Sequence, residues 1–341
     1  MAAHFGRRVA VDKVENKVLW FNKAEGLPFH FQKGKPLDLA FFATAKPKKG
    51  ADKLLSLPAH GRSLELGKVI FRANGMVFRD LDVKGAGHLS RSGIDPIWTP
   101  DHYKQYFYKA NVFPSQLTRG IFTREDANLE IKNSQRLIKG GIRVALPIAK
   151  LELKEVINEG RRMSVKEAKR KGTLTENDRP VALIRAFGTR LRLDDLEEEY
   201  KHPNKMRRMI ADAKSIVEKE LGRKLTYKEY ANWFAANLGE QVARLQKMGL
   251  EHGSMNSHNV TLDGKLVDFD EVKEKPPKMG EEFFEALAIV NGLSNAVYHS
   301  TVLHRYRAEQ IREGFGVTPK DWNPHDAFYN QYFKTLGQKK L

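Results

Sequence analysis

Residues 252–272 read HGSMNSHNVTLDGKLVDFDEV, and the Asp263-Gly264 pair at their centre constrains this chain more than any other feature. Val260–Leu262 and Lys265–Val267 are short β-prone runs on either side of it. Asp-Gly between such runs predicts a two-residue type I′ hairpin, because that turn needs positive φ at both central residues. The hairpin pairs residues equidistant from the turn, so Asn259 is expected to face Asp268. Directly opposed residues hold their Cβ atoms about 4.5–5.5 Å apart. An amide oxygen and a carboxylate at that spacing suit a hard cation such as Mg²⁺. A chain with such a site is expected to handle nucleotides.

The rest of the chain predicts a fold around that hairpin. Gly75–Val83 alternates, with Val77, Leu81 and Val83 on one face and Asp80, Asp82 and Lys84 on the other, and stops at Gly85-Ala86-Gly87. Thr123 and Asp126 form a capping-box pattern for a helix from about Arg124 to Lys139, ended by Gly140-Gly141. Strand-like VALPIAKLEL follows, then a basic helix opened by Ser164 with Glu167, then a strand over Val181–Ala186. From Leu193 the pattern is mostly helical. Thr226 with Glu229 caps a long amphipathic helix with Trp233, Phe234, Leu238, Val242 and Leu245 on one stripe. Another helix, rich in Phe, Leu and Val, starts near Glu281. Residues 94–122 are aromatic and proline-punctuated and read as an irregular insertion. The layout is α+β: a bilobal protein-kinase-like fold with a strand-rich N-lobe (1–192) and a mainly helical C-lobe (193–341) that carries the metal hairpin.

Four further residues fit phosphate chemistry. Lys84 leaves a strand beside Gly85, where small residues let a phosphate approach the backbone. Glu130 sits mid-helix in the next long element, and a strand Lys paired with a helix Glu is how kinases position their phosphate-binding lysine. Arg185 and Arg192 offer forks that bind phosphate bidentately, and Arg190 between them has equal standing on spacing. Each also has a plainer reading as a solvated strand-end, helix-face or surface residue. His252 and His258 with Asp268 and Asp270 read as a transition-metal cluster, but the oxygen-rich set favours Mg²⁺ and gives His252 the task of holding the loop backbone.

Charge and composition narrow the function classes. The chain has 41% hydrophobic and 30% charged residues, no cysteine, and a net charge of +17. Cysteine nucleophiles, thiolate metal sites and disulfides are thereby excluded. No run approaches the ~20 apolar residues of a membrane span, and no apolar h-region marks a secretory signal, so the cytoplasm is the expected location. Residues 132–172 hold 12 Lys or Arg against 4 Glu. Such a basic stretch fits nucleic acid, an anionic membrane, a polyphosphate ligand or a merely solvated face. It lacks the interleaved aromatics that stack bases, which disfavours nucleic acid as the partner.

Taken together, these motifs resemble the selenoprotein O family, kinase-fold proteins that transfer AMP from ATP to protein hydroxyl groups. LDVKGAGHLSR (81–91) is similar to that family's strand carrying Lys-Gly-Ala/Ser-Gly, and HGSMNSHN (252–259) to its His-Gly-x-Met-Asn-Thr-Asp-Asn loop. LEIKNSQRL (129–137), Gly140-Gly141-Ile142 and the Arg185/Arg192 spacing also resemble family features. The resemblance implies that Lys84, Gly85, Arg185 and Arg192 bind ATP, that Glu130 orients Lys84, and that Asn259 and Asp268 hold Mg²⁺ or Mn²⁺. A protein acceptor is the implied partner. The family places a catalytic Asp just before the metal-binding Asn, whereas this chain has His258. A histidine still accepts a proton near neutral pH but brings no negative charge. A phosphotransferase, a nucleotide-binding pseudoenzyme and a nucleic-acid module therefore stand beside AMP transfer as readings.

Overall fold

The computed structural model describes residues 5–23, 26–57, 60–89, 93–99, 120–199, 202–274, 281–301 and 324–337. Its first half is strand-rich: β1 (Arg7–Lys13), β2 (Asn16–Phe21), β3 (Phe41–Ala43), β4 (Asp52–Ser56), β5 (Ser63–Ala73), β6 (Met76–Lys84), β7 (His88–Leu89), β8 (Ile94–Asp95) and β9 (Phe122–Thr123). Helix α1 (Arg124–Lys139) follows, then β10 (Leu146–Leu153), β11 (Glu155–Asn158), β12 (Arg161–Ser164), the short α2 (Val165–Arg170) and β13 (Pro180–Phe187). The second half is helical: α3 (Leu193–Glu198), α4 (Pro203–Leu221), α5 (Tyr227–Lys247), α6 (Glu281–Thr301) and α7 (Pro324–Leu336), with the two-residue strands β14 (Leu250–Glu251) and β15 (Lys273–Glu274). The fold is α+β, with a strand-rich first half and a mainly helical second half.

A nine-stranded antiparallel sheet runs β2-β10-β13-β6-β5-β4-β1-β3, with β9 added to β13. Strand β6 is central, so both of its faces are covered and every one of its residues is buried. The alternation in its sequence therefore does not divide solvent from core. Val83 enters the apolar core of the sheet lobe, while Asp80, Asp82 and Lys84 are buried among charges. Buried charges persist only when paired and hydrogen-bonded, and the polar face of β6 carries a cluster of buried ion pairs.

Local signals set the helices. Thr123 and Asp126 complete a reciprocal capping box at the start of α1, Ser164 caps α2 through Glu167 N–H, and Thr226 with Glu229 does the same for α5. Helix α5 buries Phe234, Leu238, Val242 and Leu245, whereas Trp233 is half-buried against the core. A Phe283–Phe328–Tyr332 aromatic group joins α6 to α7 beside it. Each such large side chain contributes about 1.5–3 kcal/mol by burial. Most of the 94–122 insertion lies outside the described residues, but Phe122 belongs to β9 and pairs with Val181 in the main sheet.

The hairpin differs from expectation by one residue. Val260 stands opposite Leu266, Val267 N–H donates to the Asn259 carbonyl at 3.1 Å, and Thr261 N–H to Lys265 O at 2.9 Å. Asn259 thus faces Val267 rather than Asp268. The connection is a three-residue loop, with Gly264 N–H donating to Thr261 O and only Gly264 (φ 71°) at positive φ; Asp263 keeps negative φ. A type I′ turn would require positive φ at Asp263 as well. Asp263 instead turns inward, fully buried, where Lys265 Nζ and Thr261 Oγ1 donate to its carboxylate. Helix α5 grips the turn from below: Tyr230 Oη donates to Leu262 O at 2.6 Å and Gln241 Nε2 to Gly264 O at 2.8 Å.

Candidate functional site

Four elements bring the charged residues together. Lys84 closes β6, Arg185 lies on the adjacent β13, Glu130 projects from α1, and Asp268 follows the hairpin. Lys84 Nζ donates to Glu130 Oε2 at 2.7 Å and to Asp268 Oδ1 at 2.6 Å. Arg185 Nη1 donates to Glu130 Oε1 at 3.1 Å and Asp268 Oδ1 at 3.0 Å. Arg192 Nη1 reaches Asp268 Oδ2 at 3.4 Å. Three cations thus converge on one carboxylate, and the strand Lys–helix Glu pair is formed.

The cluster is nearly dry. The side chains of Lys84, Arg185 and Arg192 are 4%, 1% and 5% exposed, against 25% for Asp268. Burial alone would raise the Asp268 carboxyl, but Lys84, Arg192 and Arg185 outweigh it and hold the group well below the ordinary carboxylate range. Asp268 also has φ 60° and ψ 73°, a left-handed conformation uncommon for a residue with a side chain. Non-glycine backbone in that region stores strain that the surrounding structure must offset. Here the three cation contacts pin the residue in place.

Several members of the site carry no motif in the sequence. Asp82 is fully buried and takes both forks of Arg185, from Nε at 3.0 Å and Nη2 at 2.8 Å. Phe122 lies under Lys84, whose Nζ is 4.7 Å from the ring centroid. Asn133, one helical turn beyond Glu130, donates to Phe269 O at 2.7 Å and so ties α1 to the segment after Asp268. Asp82 was legible as the residue one pleat before Lys84 on the same face. The others meet the cluster through tertiary contacts alone. Arg190 is buried with its guanidinium 3.6 Å from Glu65 and 3.8 Å from Asp82, beside the cluster rather than in it.

Gly85 has φ 96°, and a Cβ there would lie 2.5 Å from Val181 O and 2.9 Å from Phe122 Cβ. Its N–H donates to Arg62 O at 2.9 Å. The glycine lets β6 pack tightly against β13, and its backbone donor is committed within the protein.

His258 lies at the cluster's outer edge. Arg192 Nη1 donates to the His258 carbonyl, and the half-exposed imidazole has Nδ1 3.0 Å from Asp194 Oδ2, an ion-pair contact from the first turn of α3. Asp194 raises the His258 imidazole above its ordinary range, against the opposing effect of burial. The Asp194 backbone N–H also donates to Ser257 O at 3.4 Å, fixing the helix to the loop. No spacing in the sequence linked Asp194 to His258.

Asn259 anchors the loop, its Nδ2 donating to Ser254 O at 2.8 Å. Among the described residues its Oδ1 accepts no hydrogen bond. His252 is fully buried and Nε2–H donates to Val267 O at 2.9 Å, the loop-holding contact expected of it. Burial lowers its pKa, so the ring is neutral. Among the described residues no three His, Asp or Glu side chains are grouped to hold a metal ion, and the transition-metal reading of His252, His258, Asp268 and Asp270 is not realised.

No protein-family model matches the chain, and no curated protein matches it in sequence. Among solved structures it is similar to ROP2 from Toxoplasma gondii, described as a virulence factor with a protein-kinase fold and no enzymatic activity. The two share 12% identity over 99% of this chain and 81% of that one, at a TM-score of 0.37. Likeness at that level carries no argument about chemistry, which rests on the site itself.

Proposed function

We propose that this chain is an ATP-dependent transferase that moves AMP to a hydroxyl group of a protein acceptor. The convergence of Lys84, Arg185 and Arg192 on Asp268 carries this reading. A preorganised set of buried cations, already desolvated and with Lys84 and Arg185 held by Glu130 and Asp82, is what a polyphosphate needs for charge neutralisation in a transfer reaction. Nucleotide phosphates approaching over the partly exposed Asp268 would share these cations with it. Asn259 and Asp268 would hold Mg²⁺ or Mn²⁺, which supplies charge neutralisation at the phosphates when bound. AMP rather than phosphate is the group chosen because of the LDVKGAGHLSR and HGSMNSHN resemblances.

His258 takes the proton. The imidazole is half-exposed, while Asp194 holds Nδ1 and favours the imidazolium that forms. The acceptor oxygen bonds to the α-phosphorus, the bond to the bridging oxygen of pyrophosphate breaks, and the hydroxyl proton passes to His258. Every other contribution of the protein is positioning and electrostatics.

A second reading is nucleotide binding without transfer. It is favoured by the fact that Asp268 already satisfies three cations, so that the metal ligand doubles as their counter-ion. ATP labelled at the α- or γ-phosphate, incubated with Mg²⁺ and a generic protein acceptor, separates the outcomes. α-Label on the acceptor supports AMP transfer, and γ-label on it replaces AMP transfer with phosphotransfer. Neither label moving while ATP still raises the melting temperature establishes binding without transfer.

A further inference from the structure

The lysines and arginines of residues 132–172 have no part in the site above, and the fold gives three of them a destination. Lys154 just after β10 and Lys166 and Lys169 on α2 meet Arg124, at the start of α1, and Arg179, just before β13. The five line one pocket of about 530 Å³, within the size range of small-molecule sites. They come from four separate stretches of chain, so the gathering is a property of the fold.

Two carboxylates share the pocket, and both are committed. Glu152 is engaged by Arg124, by Lys154 at 2.6 Å and by Lys17 at 2.9 Å. Burial alone would raise its carboxyl, but hydrogen bonds from Lys154 and Lys17 hold it at about 2, so it stays ionised and fully used. Asp178 accepts the Thr175 N–H at 2.6 Å as a turn cap. Among the described residues Lys169 Nζ donates to the Glu176 carbonyl and to no carboxylate, which leaves its charge uncompensated there. Lys166 and Arg179 are exposed, and among the described residues neither side chain is paired with a carboxylate. Three unneutralised cations around one concavity repel one another and favour a multivalent anion.

Shape and lining select the class of anion. Among the described residues no aromatic side chain lines the pocket, so none of them stacks a base as single-strand nucleic-acid sites do. A concave site also presents its cations inward, toward a compact ligand, rather than across a flat surface. We infer that this pocket binds a compact polyphosphorylated small molecule. The site is distinct from the nucleotide cluster but shares its scaffold. Glu130 lies six residues along α1 from Arg124, about 9 Å, and Arg185 lies five residues along β13 from Pro180, about 17 Å.

The test is calorimetric titration of the full chain with inositol hexakisphosphate as probe, at low and physiological salt. Wild-type protein should bind, with affinity that falls steeply as salt rises. The double reversal Lys166→Glu/Arg179→Glu should weaken binding by about tenfold or more. Both side chains are exposed, and an unchanged melting temperature confirms that the variant folds. Lys48→Glu/Lys49→Glu makes the same change in net charge at an exposed loop elsewhere, and should leave binding within about twofold of wild type. Equal weakening by the two double variants would reduce the effect to net charge and overturn the site. So would no binding at low salt, or affinity untouched by Lys166→Glu/Arg179→Glu. Tighter binding of a single-stranded oligonucleotide through Lys166 and Arg179 would assign the pocket to nucleic acid instead.

Discussion

Asp268→Asn separates two roles that one carboxylate plays. The substitution keeps the shape and removes the charge facing Lys84, Arg185 and Arg192. Breaking a buried ion pair from one side costs about 3–5 kcal/mol. The lower end applies, because Lys84 keeps Glu130, Arg185 keeps Asp82, and the Asp268 side chain is itself one-quarter exposed. A loss of about 3 kcal/mol corresponds to roughly 4 °C in melting temperature for a chain of this size. Arg192 is left with no carboxylate within ion-pair distance among the described residues. Inorganic tripolyphosphate without metal should therefore raise the melting temperature of the variant at least as much as that of wild type. Adding Mg²⁺ should raise it further in wild type only. Differential scanning fluorimetry reads both effects, in a Lys166→Glu/Arg179→Glu background so that the basic pocket does not contribute. A variant as stable as wild type would refute the account of the cluster. Tripolyphosphate that stabilises wild type but not the variant, with no metal present, would refute the assignment of the three cations to phosphate.

Asp194→Asn should lower the pKa of His258, seen by NMR titration of its ring, and should move the acidic limb of the pH–rate profile to lower pH, since the base works neutral; an unmoved ring resonance would remove Asp194 from the site. Glu282, whose carboxylate accepts Gly253 N–H at 2.9 Å, is raised by burial to about 7. A raised carboxyl contributes stability below its unfolded pKa that is lost as pH climbs through the folded value, here by about 3 kcal/mol at most between pH 5 and 9. Glu282→Gln should flatten that decline in urea titrations, and an equally steep decline in the variant would show that another group causes it. Gly188→Ala would put a Cβ 2.0 Å from Asp263 Oδ2 and 2.8 Å from Lys265 Nζ, so it should destabilise by about 1–3 kcal/mol in the same assay; a neutral result would mean that the buried Asp263–Lys265 pair can move.

Much of this molecule can be read before it folds. The caps at Thr123, Ser164 and Thr226 are legible because a capping box is a contact between residues three apart. The helical stripe of Phe234, Leu238, Val242 and Leu245 is legible because its period is local. Lys84 and Glu130 were paired on their element types, since a strand lysine and a mid-helix glutamate imply a partner on the neighbouring layer. The structure brings them to 2.7 Å.

Register, burial and long-range partners were decided elsewhere. Asp-Gly announced a turn, but whether two or three residues form the loop depended on Asp263 finding Lys265 in a dry interior under Gln241 and Tyr230. A one-residue change of register reverses the faces of a strand, and here it took Asn259 from opposite Asp268 to opposite Val267. The alternation of β6 gave two faces, yet only its central place in the sheet made both of them interior and forced Asp82 and Lys84 to find counter-ions. Asp194 and His258, and the five cations of the basic pocket, lie far apart along the chain. Their encounters follow from how α3 docks beside the loop and how β10, α2 and β13 close on α1. Local sequence set the elements and the turn, because capping and periodicity act over a few residues. The charge chemistry was set by the tertiary structure, because desolvation forces each buried charge to take whichever partner the packing brings within reach.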